Sequence, residues 1–231
     1  MYHEKYAPWD HFPKTLRYYE IMNPFIVLKD FFNAASVDAH SEDLKQWRDC
    51  VITSKYYKSR NGAPGELIFI HSLNVKLIEA LYLLLLEYEY RRFLKQKASM
   101  EQIEKEKQEW SFFPPNLCQE DLTDPYQSLR KLFKKTKPQA YRDLLEDWLM
   151  YGLYNKPIDE GVAPKYIVRL YENLLKMYEL GWLIYQREAE SPELKKEDQS
   201  VQNTTTEKIS VVSSPYESKS TQVFNLNQTS F

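Results

Sequence analysis

Apolar and polar positions recur along most of this chain with the period of an α-helix, because apolar side chains stand three or four residues apart. Residues that commonly begin or end helices, chiefly Asn, Asp, Gly and Pro, separate these segments. The chain has only 5 Gly in 231 residues, which disfavours the many tight turns of an all-β fold. The pattern therefore predicts an all-α protein.

Three helices are predicted in the first half of the chain. Asn23 suits a helix N-cap, and Pro24 suits the first helical position, where its missing N–H would be unpaired anyway. A second helix is predicted over 37–56, and a turn rich in Asn, Gly and Pro follows it at 58–64. A third helix begins near Gly65, where Leu and Ile return at helical spacing.

This third helix is expected to continue to about Lys97 and contains the longest apolar run, residues 80–86. Seven residues span about 10 Å as a helix, whereas the apolar core of a bilayer is about 30 Å thick. We interpret the run as a buried helix segment and predict no membrane span. The first residues, 1–6, lack the apolar stretch of a secretory signal.

The second half of the chain repeats this course. Residues 124–125, Asp and Pro, predict a helix start. Residues 136–139 predict the end of this helix and the start of a second one. A turn is predicted at 155–161. Pro164 then begins a third helix that is expected to run to about Glu188.

The two halves match each other at a spacing of about one hundred residues. A fixed spacing of this kind indicates a repeated architecture, here two related three-helix units. After one residue is removed from the loop, the later pairs also align. The matched pairs are Leu28 and Leu129, Phe32 and Phe133, Ala39 and Ala140, Leu44 and Leu145, Trp47 and Trp148, Lys76 and Lys176, Glu79 and Glu179, and Leu83 and Leu183. We expect Trp47, Trp148, Phe32 and Phe133 to be core side chains.

These patterns divide the chain into five parts: an aromatic arm at 1–22, a first helical repeat at 23–98, a charged connector at 99–123, a second repeat at 124–189 and a tail at 190–231. The rings of the arm would be costly to leave in water, so we expect them to pack on the body. Within the tail, residues 200–231 are rich in Ser and Thr and poor in charge, and we predict that the whole tail is disordered.

The overall charge of -2 indicates no general affinity for nucleic acid or acidic membranes. The two cysteines, Cys50 and Cys118, lack the spacing of a metal site, and we interpret them as reduced thiols. Together with the missing secretory signal, this favours a cytoplasmic protein.

Standard catalytic and cofactor motifs are missing from the sequence, so no cofactor and no catalytic residue is predicted. Metal binding by Asp38, His40 and Asp43 would need His71 to come close in the fold. The pattern of the histidines fits packing positions better, and no metal site is predicted.

The strongest binding signal is a cluster of cations without acids in the second repeat: Arg130, Lys131, Lys134, Lys135, Lys137 and Arg142. The face opposite Leu129 and Phe133 would then be strongly positive. Such a face is typical of contact with nucleic-acid phosphates or with an acidic protein, and also of a solvated surface.

We interpret the chain as a non-enzymatic helical interaction or scaffold protein that binds a protein partner. One alternative is a nucleic-acid-binding accessory protein that uses the basic face. A second alternative is an enzyme with a cleft between the two repeats, assembled from residues that are remote in sequence.

Overall fold

A computed structural model describes residues 7–53, 57, 65–90, 97–154 and 164–188, and this part of the chain is helical without any strand. The all-α prediction is therefore confirmed. A 3₁₀ helix at Pro8–His11 precedes nine α-helices in the described residues. They are α1 Tyr18–Met22, α2 Phe25–Ala34, α3 Val37–Thr53, α4 Gly65–Tyr90, α5 Met100–Glu109, α6 Gln119–Thr123, α7 Pro125–Lys135, α8 Pro138–Tyr154 and α9 Pro164–Glu188.

Two helix starts follow from side-chain capping. The side chain of Asp124 accepts the N–H of Gln127 at 3.0 Å and caps α7, and Ser99 accepts the N–H of Gln102 at 3.2 Å and caps α5. The last described helix, α9, begins at Pro164 and ends at Glu188, as its sequence pattern predicts.

The third helix was expected to run to about Lys97; α4 is described to Tyr90, and residues 91–96 lie outside the described residues. Residues 97–99 are not helical, and Ser99 has the extended backbone of an N-cap. The N–H of Ala98 donates to the carbonyl of Thr123 at 3.1 Å, so this stretch is bonded to α6 instead of continuing α4. The short helices α1 and α6 were not predicted, because five residues are too few for a periodic pattern.

The core is built from side chains of both halves of the chain. Helix α4 packs against α2, α7 and α8, and α9 packs against α2, α3 and α7. Trp47 and Trp148 are both buried, as expected, and Trp47 Nε1 donates to the Trp148 carbonyl at 3.0 Å. Phe133 is buried as well, whereas Phe32 is partly buried and packs on Trp182.

Helix α4 is long and apolar enough to cross a membrane by length and composition, but 56% of its most apolar window is buried inside the bundle. Its buried face includes Leu77, Leu81 and Leu84, which contact the other helices. This burial is what a central helix of a bundle requires, and it agrees with the interpretation of residues 80–86 as core.

The charged connector packs on the bundle through a few side chains. Ile103 and Glu106 are buried on α5, and Arg187 near the end of α9 pairs with Glu106 at 2.6 Å. The predicted tail at 190–231 and the predicted turns at 58–64 and 155–161 lie outside the described residues.

Candidate functional site

The backbone of residues 10–20 is held on the bundle by a buried glutamate of α4. Glu79 accepts the N–H groups of Lys14 and Thr15 at 2.8 and 3.0 Å, and it also accepts the Thr15 hydroxyl at 2.7 Å. Its side chain is 0% exposed. A carboxylate in this position fixes two successive backbone amides, so the path of this segment is set by α4.

Arg142 of α8 completes this polar cluster. Its Nη1 lies 2.7 Å from Glu79 Oε1, and its Nη2 donates to the carbonyl of Asp10 and to Gln139 Oε1. The guanidinium is only 9% exposed and neutralises the buried carboxylate. Residues from three distant parts of the chain therefore meet at one ion pair.

A second ion pair holds α1 in place. Glu20 is buried, and its carboxylate lies 2.6 Å from Lys76 Nζ on α4. The same carboxylate accepts the backbone N–H of Arg17 at 2.6 Å. Burial alone would raise the pKa of Glu20, but the Arg17 amide and Lys76 outweigh it, and the pKa is lowered.

On this anchored backbone, large apolar side chains face the solvent. We call the following set the aromatic segment: Trp9 (69% exposed), Phe12 (58%), Tyr18 (78%), Tyr19 (47%), Ile21 (39%) and Met22 (65%). The prediction that the rings of the arm pack on the body is thus wrong for these four aromatic residues, while Tyr2 and Tyr6 lie outside the described residues. The inward positions are taken by His11, Leu16 and Glu20 instead.

The basic face is formed by α7 and Lys137 in the link to α8, but part of its charge is paired. Arg130 lies 2.7 Å from Glu89, and Lys131 lies 3.3 Å from Glu120. Lys134 and Lys135 are exposed in the last turn of α7, and Lys137 follows, partly exposed. The pairing leaves a smaller positive patch than the sequence suggested.

Arg142 does not belong to this face. The sequence places it with the other cations because it is only five residues from Lys137. In the fold its side chain points into the bundle and pairs with Glu79, which is more than sixty residues away. The cations that remain on the basic face are therefore Arg130, Lys131, Lys134, Lys135 and Lys137.

The histidines do not assemble a metal site within the described residues, where no group of three or more His, Cys, Asp or Glu side chains is placed to hold an ion. His40 Nε2 lies 2.8 Å from the carbonyl of Phe31, and its ring stacks on the Phe31 ring. Burial lowers the pKa of His40. His71 faces Glu146 instead, with Nε2 at 3.6 Å from Oε2.

A similar set of anchoring contacts occurs in the second half. Glu179 of α9 accepts the backbone N–H of Asn116 at 3.1 Å and its amide Nδ2 at 2.6 Å. Asp121 lies 2.8 Å from Lys176 Nζ and accepts the N–H of Cys118.

Asp121 is the most strongly shifted carboxyl of this second cluster. Burial alone would raise its pKa, but hydrogen bonds from Lys176, Ser128 and Cys118 outweigh it and lower the pKa to about 2. Asp121 is therefore ionised at neutral pH and holds the start of α6 through these bonds.

The sequence pattern predicts neither the polar cluster at Glu79 nor the exposure of the aromatic rings to solvent. A signal for the first was present, because Glu79 interrupts an apolar run between Ile78 and Ala80 and its match Glu179 does the same. A charged residue inside an apolar helix face indicates a buried partner. The apolar pattern of α4 does not show that this partner is Arg142.

Comparisons with protein-family models, with curated proteins and with solved structures give no match for this chain.

Proposed function

We propose that this chain is a helical interaction protein that binds a protein partner through the aromatic segment, Trp9 to Met22. The observation that carries this proposal is the combination of an anchored backbone with exposed rings. Clusters of exposed apolar side chains are characteristic of interaction surfaces. Aromatic side chains and Met are also enriched where proteins bind each other.

Anchoring matters energetically because binding costs conformational entropy. A segment whose backbone is already fixed by Glu79 and Glu20 loses less freedom when a partner covers its rings. On α1, Tyr18, Ile21 and Met22 are spaced by three and four residues, so they lie along one side of that helix. The proposal therefore places a partner contact on this side of α1.

We also propose that the two halves arose by internal duplication. The match between the two halves also includes residues 9–25 and 110–126, which lead into α2 and α7. The matched pairs are Trp9 and Trp110, Phe12 and Phe113, Leu16 and Leu117, Glu20 and Asp121, and Pro24 and Pro125. The matched acids Glu79 and Glu179 bind backbone amides of the matched segments. Similar bonds made by residues at matched positions of the two halves support a common origin.

The side chains of the matched segment in the second half also support a binding role for the aromatic segment. At the positions that correspond to Tyr18, Tyr19 and Met22, the second half has Gln119, Glu120 and Thr123. Two of these three, Gln119 and Glu120, are exposed on α6, and Thr123 is partly exposed. A short helix anchored in this way therefore does not need exposed aromatic residues. Their presence in the first half points to a use other than folding.

The test exchanges these side chains for their counterparts. A Tyr18→Gln/Tyr19→Glu/Met22→Thr variant is expected to bind its partner at least tenfold more weakly, because exposed rings supply most of such binding energy. Its unfolding free energy should stay within about 1 kcal/mol of the parent, because the replaced side chains are mainly in solvent. Quantitative affinity capture with mass spectrometry finds the partner, and binding isotherms then compare the two proteins.

A matched control carries Gln119→Ala, Glu120→Ala and Thr123→Ala on α6. It is expected to bind like the parent. Sedimentation velocity of the parent identifies the case in which the partner is a second copy of this chain. Capture of the same proteins by the parent and the exchanged variant, at equal affinity, would contradict the proposal.

A second candidate function is nucleic-acid binding by the basic face. The observation that favours it is the exposure of Lys134 and Lys135, side by side with Lys137, at the C-terminal end of α7. Lysines in this arrangement are suited to phosphate contacts, which release counterions and depend steeply on salt.

A Lys134→Glu/Lys135→Glu variant tests this candidate directly. If nucleic acid is bound, labelled DNA or RNA should bind the parent with an affinity that falls about tenfold or more as salt rises from 50 to 200 mM. The variant should lose this binding, whereas Arg130→Met, which removes an already paired cation, should weaken it less. Fluorescence anisotropy measures both. An absence of binding by the parent at low salt would rule this candidate out.

A further inference from the structure

The aromatic segment and the basic face are neighbours in the fold. Lys14 Nζ donates to Gln139 Oε1 in the first turn of α8 at 2.8 Å, although 125 residues separate the two in the sequence. Arg142, one turn further along α8, donates to the carbonyl of Asp10 and to Gln139. The 3₁₀ helix that carries Trp9 also packs against α8. The start of α8 therefore lies between the two surfaces.

Exposed lysines reach this place from the other side. Lys137 precedes Gln139 by two residues, so their α carbons are at most about 8 Å apart. Lys134 and Lys135 are exposed at the end of α7, immediately before it, and Lys14 is 50% exposed. Within the described part of the chain, Lys134, Lys135 and Lys137 form no ion pair. We call these four side chains the adjoining lysines: Lys14, Lys134, Lys135 and Lys137.

The charge at the start of α8 is positive after its acids are counted. Asp10 lies 3.8 Å from Lys14, and Asp143 accepts a hydrogen bond from Gln139 at 2.6 Å. Both acids are only partly exposed, and the adjoining lysines outnumber them. An apolar surface that is bordered by positive charge is complementary to an acidic partner.

The second half of the chain lacks both features at the matched places. The residues that correspond to the adjoining lysines are Pro115, Asn33, Ala34 and Ser36. The exposed Tyr18, Tyr19 and Met22 likewise correspond to polar residues. Rings and cations lie on elements that are far apart in the sequence, yet they occur together in one half and are missing together in the other. This coincidence indicates that they serve the same contact.

We propose that the aromatic segment and the adjoining lysines form one surface, and that this surface binds an acidic segment of a protein partner that also presents apolar side chains. The inference rests on the proposed function, because it specifies the chemistry of the partner that covers the aromatic segment. The partner's apolar side chains cover Tyr18 and Met22, and its carboxylates face the adjoining lysines.

The aliphatic members of the aromatic segment favour a protein over other polyanions. Ile21 and Met22 share one side of α1 with Tyr18, and such side chains pack on the apolar side chains of a protein. Binding of single-stranded nucleic acid depends on rings that stack with bases, for which Ile and Met are unsuited. An acidic lipid surface is disfavoured because α1 has only five residues and offers little apolar area to the bilayer.

The first experiment selects binders of the full chain from a phage-displayed library of random peptides. Peptides enriched in Asp and Glu together with apolar residues are expected. The same selection is run on Tyr18→Gln/Met22→Thr, which removes apolar contacts without a change in charge, and on Lys134→Asn/Lys135→Ala. The first variant should enrich few peptides, and the second should lose the preference for acidic residues.

The most enriched peptide is then labelled with fluorescein and titrated by fluorescence anisotropy. A version with Asn and Gln in place of its acids is expected to bind the parent about tenfold more weakly. Lys134→Asn/Lys135→Ala should bind the original peptide about fivefold more weakly, because each exposed pair contributes little. The matched control is Lys105→Asn/Lys107→Ala, which removes two exposed cations from α5 and should bind like the parent.

The outcomes separate this inference from the proposed function. Apolar peptides that need Tyr18 and Met22 but show no acidic preference would overturn the inference and leave the proposed function standing. Acidic peptides that bind the Tyr18→Gln/Met22→Thr variant as well as the parent would contradict both. The parent is also titrated with a labelled single-stranded DNA and with phosphatidylserine vesicles. Binding to either of these probes without any enriched peptide would overturn the inference, as would a selection that enriches nothing.

Discussion

Arg142→Met is expected to lower the free energy of unfolding by about 3–5 kcal/mol, because it leaves the carboxylate of Glu79 buried without its cation. The substitution also removes the donor to the carbonyl of Asp10. Met has a similar length and fits the same space, so the effect reports lost charge compensation more than lost volume. Urea denaturation at pH 7, followed by circular dichroism, measures the difference.

The matched control is Arg130→Met. Arg130 lies at the same 2.7 Å distance from a glutamate, Glu89, but these two side chains are 38% and 42% exposed. A pair that is open to solvent contributes about 0–1 kcal/mol, so this variant should unfold almost like the parent. Equal effects of Arg142→Met and Arg130→Met would show that burial does not set the strength of the Glu79 pair.

A double variant, Glu79→Gln/Arg142→Met, refines the interpretation. It removes both charges, so its destabilisation should be clearly smaller than the sum of the two single effects. Additive effects would mean that the two side chains stabilise the fold independently, through their separate bonds to Thr15 and Asp10.

Trp47→Ala and Trp148→Ala are each expected to destabilise the protein by about 3–5 kcal/mol. Both rings are buried, and they contact each other edge to face with centroids 5.6 Å apart. Removal of Trp47 also leaves the carbonyl of Trp148 without the indole N–H that lies 3.0 Å from it. Thermal and urea unfolding of the two variants measures these losses.

Trp9→Ala is the control for this pair, because it makes the same substitution at a side chain that is 69% exposed. Its unfolding free energy should stay within about 0.5 kcal/mol of the parent. If Trp47→Ala melts like Trp9→Ala, the indole ring does not contribute to the core as its burial implies. The same Trp9 variant is informative for partner binding, because Trp9 belongs to the aromatic segment.

The two matched segments, 9–25 and 110–126, differ in the side chains that they expose to other molecules. The aromatic segment displays rings from a backbone held by Glu79 and Glu20, whereas the matched segment near Asn116 displays polar side chains from a backbone held by Glu179 and Asp121. Similar buried contacts thus hold two segments whose exposed side chains differ. Under the proposed duplication, this is the expected result when one of two copies is free to acquire a binding role.

The longer helices and the core positions of Trp47 and Trp148 were readable from the residues alone. The start of α9 at Pro164, the start of α7 at Pro125 and the burial of Trp47 and Trp148 all depend on local backbone chemistry or on a short periodic pattern. These signals act over a few residues, so a linear sequence is sufficient to predict them.

Only the tertiary structure shows that the aromatic rings face the solvent and that Arg142 is buried. Arg142 looked like a member of a basic face because Lys137 is close in sequence, yet its partner Glu79 is brought to it by the packing of α4 against α8. Likewise, Leu16 and Glu20 took the inward positions that Tyr18 and Tyr19 were expected to fill. Burial is decided by contacts between remote segments, and an amino-acid pattern records only the neighbours of each residue along the chain.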